Sequence, residues 1–183
     1  MRRKVLDINS LIKVMVLIVL DQGIKLMVKG YYGTEKTIIP KLLYFKPKLN
    51  DKYSWFNSMF SFGGGKAFHI LLVLIMIFLV YYLFKYIYTH YNTNTGVEVL
   101  KILIFSGAIC SLIDKVFWNG SLDYVYLYGL FIFDLKDIYI TAFEIFAVIL
   151  LIKNWLSVSK IDDKKLFKDF CKLIKKDIFY NHK

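Results

Sequence analysis

The sequence predicts an all-α membrane protein with four transmembrane helices, a small extracytoplasmic β-cradle and a C-terminal amphipathic helix. Of its 183 residues, 57% are hydrophobic, and the mean hydropathy is +0.50. Soluble domains are about 45–50% apolar and seldom contain such continuous runs. A membrane span needs about 20 mostly apolar residues. Four stretches approach that length, at residues 11–28, 67–88, 97–117 and 138–156. A soluble helical domain with an apolar core is the less favoured alternative.

The first apolar stretch is predicted to remain in the protein as a span. It begins after the basic residues "MRRK", as a secretory signal would. No small-residue cleavage motif follows it, however, and "DQGIKLMVKG" comes instead. We therefore expect one membrane domain over residues 1–183.

The distribution of charge predicts the orientation of the spans. The formal net charge is +11, but the lysines flank the spans rather than forming one stripe. This pattern favours membrane lipids as partners and argues against nucleic acid. Positive residues near span ends stay in the cytoplasm. Both termini are basic, and an even number of spans places them on one side, so both are expected to be cytoplasmic. Seven lysines in residues 29–66 argue the other way.

This orientation assigns the segments between the spans. Residues 29–66 and 118–137 become the outer segments, and residues 157–183 a cytoplasmic tail. Branched and aromatic residues in "KTIIPKLLYF" and "YSWFNSMFSF" predict two strands joined by a turn. Asn119-Gly120 predicts a tight turn before a further short strand. Apolar residues at helical spacing in the tail predict an amphipathic helix on the inner leaflet, with a loose basic tail as the alternative.

The sequence offers no pattern for a metal or a cofactor. It has only two cysteines and three histidines, and none of them has metal-ligand spacing. We therefore expect neither a metal nor a cofactor in the reaction.

Three acids are predicted to lie at the outer membrane level: Asp21, Asp114 and Asp137. Ionisable groups at membrane depth are costly and tend to mark function. Anchoring at the interface is the alternative for each of them. Asp21 has Lys25 one helical turn later, so we expect the two to pair and Asp21 to orient the site. Asp114 and Asp137 are the acids that can face each other across adjacent spans.

Two carboxylates held close together cannot both ionise easily, so one keeps a proton and the other loses it. The pair then supplies an acid and a base in one site. The base can activate a water that attacks a carbonyl, and the acid can protonate the carbonyl oxygen. Peptide hydrolysis needs no nucleophilic side chain or metal in this scheme.

Several motifs around these acids resemble the lipoprotein signal peptidases, the signal peptidase II family. "GAICSLIDK", "GSLDYVYL" and "FDLKDIYI" resemble the family patterns G-A-x-G-N-x-x-D-R, V-x-D-F and F-N-x-A-D. Upstream, "LDQGIK" resembles D-Q-x-x-K, and "IIPKLLYFKPKLN" resembles an outer strand that ends in asparagine. The motifs occur in the family's order and touch every span except the second.

The resemblance implies an aspartic endopeptidase of the bacterial cytoplasmic membrane, with its site near the outer face. We also expect the protein to be a monomer. Its substrate would be a prolipoprotein whose cysteine already carries diacylglycerol, cut just before that cysteine. The outer strands would form a cradle on the membrane, and the second outer segment a flap. The implied catalytic residues are Asp114 and Asp137. Substrate-binding or dyad-supporting positions would be Asp21, Lys25, Asn50, Ser111, Lys115, Asp123, Asp134 and Lys136.

The chain departs from the family pattern around the two acids. Ser111 and Asp134 stand where the family has asparagine, Lys115 where it has arginine, and Lys136 where it has alanine. Lysine keeps the charge of arginine but loses its bidentate donors. An additional acid, Glu144, shares a helical face with Asp137; it is expected to pair with Lys25 or Lys101, or to tune the dyad. These changes predict a divergent branch with a specialised substrate.

The altered residues leave two further questions open. Lys136 and Asp134 are expected either to couple to the dyad or, for Lys136, to point into the headgroups as a helix-start anchor. A protein that binds a lipidated peptide without cutting it is the main alternative function. A transporter subunit is less favoured, because the inner halves of the spans are nearly free of polar groups in the sequence.

Overall fold

The chain forms five α-helices and one four-stranded sheet in the residues that the computed structural model describes. These are Val5 and residues 7–52, 64–91, 93–153 and 162–180. The helices are α1 (Ile8–Val28), α2 (Lys66–His90), α3 (Thr95–Ile113), α4 (Leu135–Lys153) and α5 (Asp163–Tyr180). The strands are β1 (Lys36–Ile39), β2 (Leu43–Asn50), β3 (Ser121–Leu127) and β4 (Ile132–Phe133). A short 3₁₀ turn, Lys29–Tyr31, follows α1, and a π-helix, Asp114–Trp118, extends α3.

Four of these helices coincide with the four apolar stretches, with ends within three residues of the predicted limits when the π-helical extension of α3 is included. Helix α2, and α3 together with its π-helical extension, are long and apolar enough to cross a membrane. Helices α1 and α4 do not meet that criterion, and they carry charges within their length, among them Asp21, Lys25 and Asp137. The predicted helices are present, while the four-span arrangement stays a prediction.

Side chains that bond to backbone N–H groups define the starts of two helices. Asp7 accepts a hydrogen bond from the Ser10 backbone N–H at 2.7 Å at the start of α1. Asn94 accepts one from the Val97 N–H at 3.2 Å at the start of α3. Both bonds satisfy N–H groups that have no partner within the helix.

A buried polar cluster joins α1, α2 and α3 at the ends opposite the sheet. The Lys101 ammonium donates to Ser10 Oγ at 2.8 Å and to Glu98 Oε2 at 3.0 Å, and Tyr88 donates to Glu98 at 2.9 Å. Lys101 and Ser10 are fully buried. The expectation of nearly apolar inner halves is therefore wrong here, because these partners come from three separate helices. The cluster is local, and it ties the three helices together.

Helices α3 and α4 approach closely at Gly107. A Cβ at this position would lie 2.6 Å from Ile140 Cγ1. The absence of a side chain lets the two backbones meet. Asp114 follows the last residue of α3, and Asp137 lies in the first turn of α4.

We expect Gly107→Ala to destabilise the protein by about 1–3 kcal/mol, because the added methyl overpacks the α3–α4 contact. Thermal unfolding in detergent measures this. Gly23→Ala is the matched control in α1, where a Cβ meets nothing within 4 Å. Equal melting temperatures for the two variants would show that the contact is not tight.

The sheet is fully antiparallel, in the order β1-β2-β3-β4. The single strand predicted over residues 36–45 is wrong: the chain turns after Ile39, where Pro40 cannot donate to a ladder and Lys41 adopts a left-handed φ of 62°. The second predicted strand, residues 53–62, lies outside the described residues. The predicted turn before β3 is confirmed, with Asn119 left-handed at φ 54°.

Gly120 brings the end of β2 against the start of β3. A Cβ at Gly120 would lie 2.6 Å from the carbonyl oxygen of Asn50. Asn50 pairs with Ser121 in the sheet register. This close approach places the asparagine at the edge of the candidate site.

The predicted C-terminal helix is present as α5, so the alternative of a loose tail does not hold for residues 163–180. It packs against the last turns of α2, where Asp177 pairs with Lys85 and the Phe170 ring meets Tyr86 edge-on at 6.3 Å.

Candidate active site

The site is built around the buried ammonium group of Lys25 on α1. It contacts Asp21 at 2.8 Å, Asp114 at 2.7 Å and Asp134 at 2.8 Å, and all four side chains are fully buried. The predicted pairing of Asp21 with Lys25 is confirmed. A buried charge is tolerated when it is paired and hydrogen-bonded, so this lysine holds together three acids from different parts of the chain.

Asp114 begins the π-helix that extends the C-terminal end of α3. Besides Lys25, its carboxylate accepts hydrogen bonds from Gln22 at 3.1 Å and from Ser121 Oγ at 3.3 Å. The Gln22 carbonyl in turn accepts from the Trp118 indole N–H at 3.0 Å. Asp114 is thus fixed from several sides and has no exposed surface.

Asp134 and Asp137 form a reciprocal cap at the start of α4. Asp134 Oδ1 accepts from the Asp137 backbone N–H, and Asp137 Oδ2 accepts from the Asp134 N–H, both at 3.2 Å. This is the geometry of a capping box, with aspartate in the position that usually holds glutamate. The Lys136 backbone N–H also donates to Asp21 Oδ1 at 3.0 Å. Asp21 therefore orients the start of α4, as expected for an orienting residue.

The ammonium of Lys136 lies at the centre of the acids. It contacts Asp134 and lies 3.2 Å from Asp114, 3.7 Å from Asp123 and 3.8 Å from Asp137. The residue is 5% exposed. The alternative in which Lys136 points into the headgroups is therefore wrong, because four carboxylates outcompete the interface for this ammonium.

Asp114 and Asp137 are both neighbours of this ammonium. Asp114 Oδ2 and Asp137 Oδ1 are at most 7.0 Å apart, the sum of their distances to Lys136 Nζ. The Asp137 side chain is 42% exposed, whereas that of Asp114 is fully buried. Of this pair, Asp137 is the acid that meets solvent.

Strand β3 adds Ser121 and Asp123 to the same surface. Ser121 Oγ donates to Asp123 Oδ1 at 2.6 Å and accepts from Lys136 Nζ at 2.5 Å. Burial raises the pKa of Asp123, and the Lys136 ammonium acts in the opposite direction. For Asp134 burial also favours the protonated form, but Lys136 and Lys25 outweigh it and lower its pKa.

An open cleft of about 460 Å³ gives access to the acids. Its polar lining includes Asn50, Asp123, Asp137, Thr141 and Glu144, and its apolar wall comes from residues 131–133. Glu144 is exposed in this cleft. Lys25 and Lys101 bind other acids, so the pairing expected for Glu144 with either of them is wrong.

Two of the predicted site residues, Ser111 and Lys115, are not among the contacts of Lys25 and Lys136. Lys115 Nζ donates to Ser111 Oγ at 2.8 Å, one turn away on the same helix. Asn50 lines the cleft. The predicted acids Asp21, Asp114, Asp123, Asp134 and Asp137 all contact Lys25 or Lys136. Ser121 was not predicted, although strand alternation with Asp123 places both on one face.

The acids could also be considered as metal ligands. Carboxylate oxygens of Asp123, Asp134 and Asp137 lie within 4.8 Å of one another. The ammonium of Lys136 already lies against all three. A cation at this position would compete with the lysine for the same oxygens.

Comparisons with known proteins identify the family. The family model for signal peptidase (SPase) II matches residues 13–156. A lipoprotein signal peptidase of Bartonella tribocorum is 32% identical over 152 residues, covering 77% of this chain and 84% of that protein. One of Lactobacillus gasseri is 29% identical over 142 residues, covering 75% and 88%.

The fold is shared with a solved protein. A bacterial membrane enzyme, determined by the in meso method at 1.9 Å resolution, matches with a TM-score of 0.68 and 24% identity. The match covers 84% of this chain and 99% of that one. The family model spans the helices and strands that carry the cluster of acids and lysines. The chain belongs to the signal peptidase II family.

Proposed function

We propose that the protein is an aspartic endopeptidase that removes the signal peptide from diacylglyceryl-modified prolipoproteins. The observation that carries this proposal is that Asp114 and Asp137 lie 3.2 and 3.8 Å from one ammonium, that of Lys136, with Asp137 open to the cleft. The names of the related proteins, lipoprotein signal peptidases, support the substrate class.

In this proposal Asp137 contacts the attacking water, because its carboxylate is the half-exposed member of the pair. Asp114 lies deeper, held by Lys25, and completes the acid–base pair. Five carboxylates, four of them buried, lie around the ammonium groups of Lys25 and Lys136. The excess of acids favours a retained proton, since like charges held close raise one another's pKa. One acid can then donate to the carbonyl oxygen while another removes a proton from water.

The apolar wall of the cleft fits the proposed substrate. Residues 131–133 line the same cleft as Asp123 and Asp137 and are hydrophobic. An extended, apolar peptide could lie there with its scissile bond at Asp137. Asn50 at the end of β2 offers an amide to the peptide backbone, on the same side as the sheet.

Lys136→Ala is expected to move the acid limb of the pH–rate profile to higher pH by about one unit or more. The reason is that a cation within a few ångströms favours ionised carboxylates, and its loss favours protonation. Catalysis needs one ionised base, so the rate at low pH should fall. The profile with a lipidated reporter substrate, measured from pH 5 to 9, tests this.

A double variant of Lys136 and Asp134 is the control for this prediction. Asp134→Asn removes the acid that Lys136 contacts most closely. The double variant should not show the sum of the two single effects, because both residues belong to one network. Additive shifts would mean that Lys136 and Asp134 act separately on the reaction.

One observation favours the alternative, a protein that binds a lipidated peptide without cutting it. Lys136 forms ion pairs with both acids, at 3.2 Å to Asp114 and 3.8 Å to Asp137. In that case Lys136→Ala, which restores the family's residue, should create cleavage where the native chain has none. The two proposals therefore predict opposite effects of one substitution.

We propose further that all four helices α1 to α4 cross the bacterial cytoplasmic membrane with both termini in the cytoplasm, and that the protein acts as a monomer. Single cysteines at Asn50 and Asn94 test the orientation, in a background where Cys110 and Cys171 are serine. A membrane-impermeant maleimide should label position 50 in intact cells and position 94 only after lysis. The reverse pattern would place the acids on the cytoplasmic side.

The proposed activity is tested in proteoliposomes that contain the purified protein and a prolipoprotein. The substrate is supplied in two forms, with and without diacylglycerol on its cysteine. Cleavage of the modified form, seen as a smaller band on a gel, is expected. Stable binding of that form without any cleavage would favour the alternative.

A further inference from the structure

The rotation of helix α5 about its own axis is fixed by its contacts with α2. Asp177 pairs with Lys85 and accepts from the Tyr82 hydroxyl at 3.3 Å. Phe170, two turns earlier on the same face, meets Tyr86. These contacts determine which residues of α5 point away from the rest of the chain. The helix lies beyond the residues matched by the family model, which end at 156.

The face turned away from α2 is strongly basic. Helix α5 contains six lysines and three aspartates, and one of those aspartates is paired with Lys85. At about 100° per residue, the lysines occupy about one third of the circumference. All six are exposed. This lysine face comprises Lys164, Lys165, Lys168, Lys172, Lys175 and Lys176.

Exposed apolar residues border the lysine face. Phe167 is 68% exposed and Ile178 is 44% exposed. A shallow groove of about 650 Å³ runs between Phe167 and four of the lysines. A helix with one apolar edge and a lysine-rich polar face is typical of helices that lie in the membrane interface.

The position of α5 along α2 places this face at headgroup level. Its contacts on α2 are Tyr82, Lys85 and Tyr86, all within the last turns of a helix that is long enough to span a membrane and ends at His90. Lysines close to a membrane surface are attracted by anionic lipids within about a Debye length.

We propose that the lysine face of α5 binds the phosphate groups of anionic lipids in the leaflet next to the end of α2. Phe167 and Ile178 insert among the upper acyl chains, and the lysines contact the phosphates. The Asp177–Lys85 pair keeps the helix turned so that both contacts form at once. The proposal concerns lipid binding and is independent of whether the protein cleaves a peptide.

The test uses the purified full-length protein in a neutral detergent. Phosphatidylglycerol or phosphatidylcholine is added in equal amounts, and native mass spectrometry counts the lipids retained per chain. One variant replaces Lys168, Lys172, Lys175 and Lys176 with glutamine, and a second replaces them with arginine. The control variant replaces Lys36, Lys41, Lys48 and Lys52, in and beside the sheet, with glutamine.

The native chain, the arginine variant and the control should retain phosphatidylglycerol in preference to phosphatidylcholine by about tenfold or more. The glutamine variant of α5 should lose that preference. Retention by the arginine variant attributes the preference to positive charge, and an unchanged melting temperature of the glutamine variant shows that its loss does not come from misfolding. Equal retention of the two lipids by the native chain would overturn the proposal. So would an unchanged preference in the glutamine variant, or displacement of the lipid by millimolar inorganic phosphate.

Discussion

Asp137→Asn is expected to reduce the rate of prolipoprotein cleavage by a factor of about 10³ or more while leaving the protein folded. Loss of a positioned acid or base costs about 10²–10⁴ in rate, and this residue is the half-exposed member of the proposed pair. The asparagine oxygen can still accept the hydrogen bond from the Asp134 N–H that caps α4. Cleavage rate and melting temperature, measured on the same preparation, separate catalysis from folding.

Two further variants sharpen this prediction. Asp163→Asn, in the exposed first turn of α5, removes an acid far from the cleft and should retain full activity. Asp114→Asn should lower both rate and stability, because Asp114 is buried and bound to Lys25 through both carboxylate oxygens. An Asp137→Asn enzyme with the native rate would exclude Asp137 from the chemistry.

Lys25→Met is expected to destabilise the protein by about 3–5 kcal/mol, the cost of removing one partner from a buried ion pair. Its ammonium is shared by Asp21, Asp114 and Asp134, and none of the four side chains has exposed surface. The acids would have to take up protons or rearrange. Thermal unfolding in detergent and the yield of monodisperse protein measure the loss.

Lys46→Met is the matched control for this substitution. Lys46 pairs with Glu35 at 2.7 Å, but the two side chains are 41% and 48% exposed. Exposed pairs contribute about 0–1 kcal/mol. Similar melting temperatures for the two variants would mean that the buried cluster does not stabilise the fold.

The helices and the acids could be predicted because their signals are local. An apolar run specifies a helix of spanning length, and the i, i+4 spacing brings Asp21 beside Lys25. The break at Pro40 was also local, yet the branched residues around it outweighed it in the prediction. Proline cannot donate a hydrogen bond in the interior of a strand, so Pro40 predicts the turn that joins β1 and β2 into a hairpin.

The central position of Lys136 could not be derived from sequence. A lysine at a helix start can extend toward the headgroups or fold inward, and the choice depends in part on acids from other elements of the fold. Asp114 comes from α3 and Asp123 from β3, and both reach Lys136 only after the sheet and helices have packed. The burial of Lys101, near the opposite ends of the helices, could not be predicted for the same reason, since its partner Ser10 is 91 residues away.

The most direct test of the aspartic protease proposal is the mass of the products formed from a synthetic lipobox peptide carrying diacylglycerol on its cysteine. With the native protein, mass spectrometry should show two fragments separated at the bond before the lipidated cysteine. No fragments should form with Asp114→Asn or Asp137→Asn. An intact peptide that stays bound to the native protein, or native-level cleavage by either variant, would contradict the assignment.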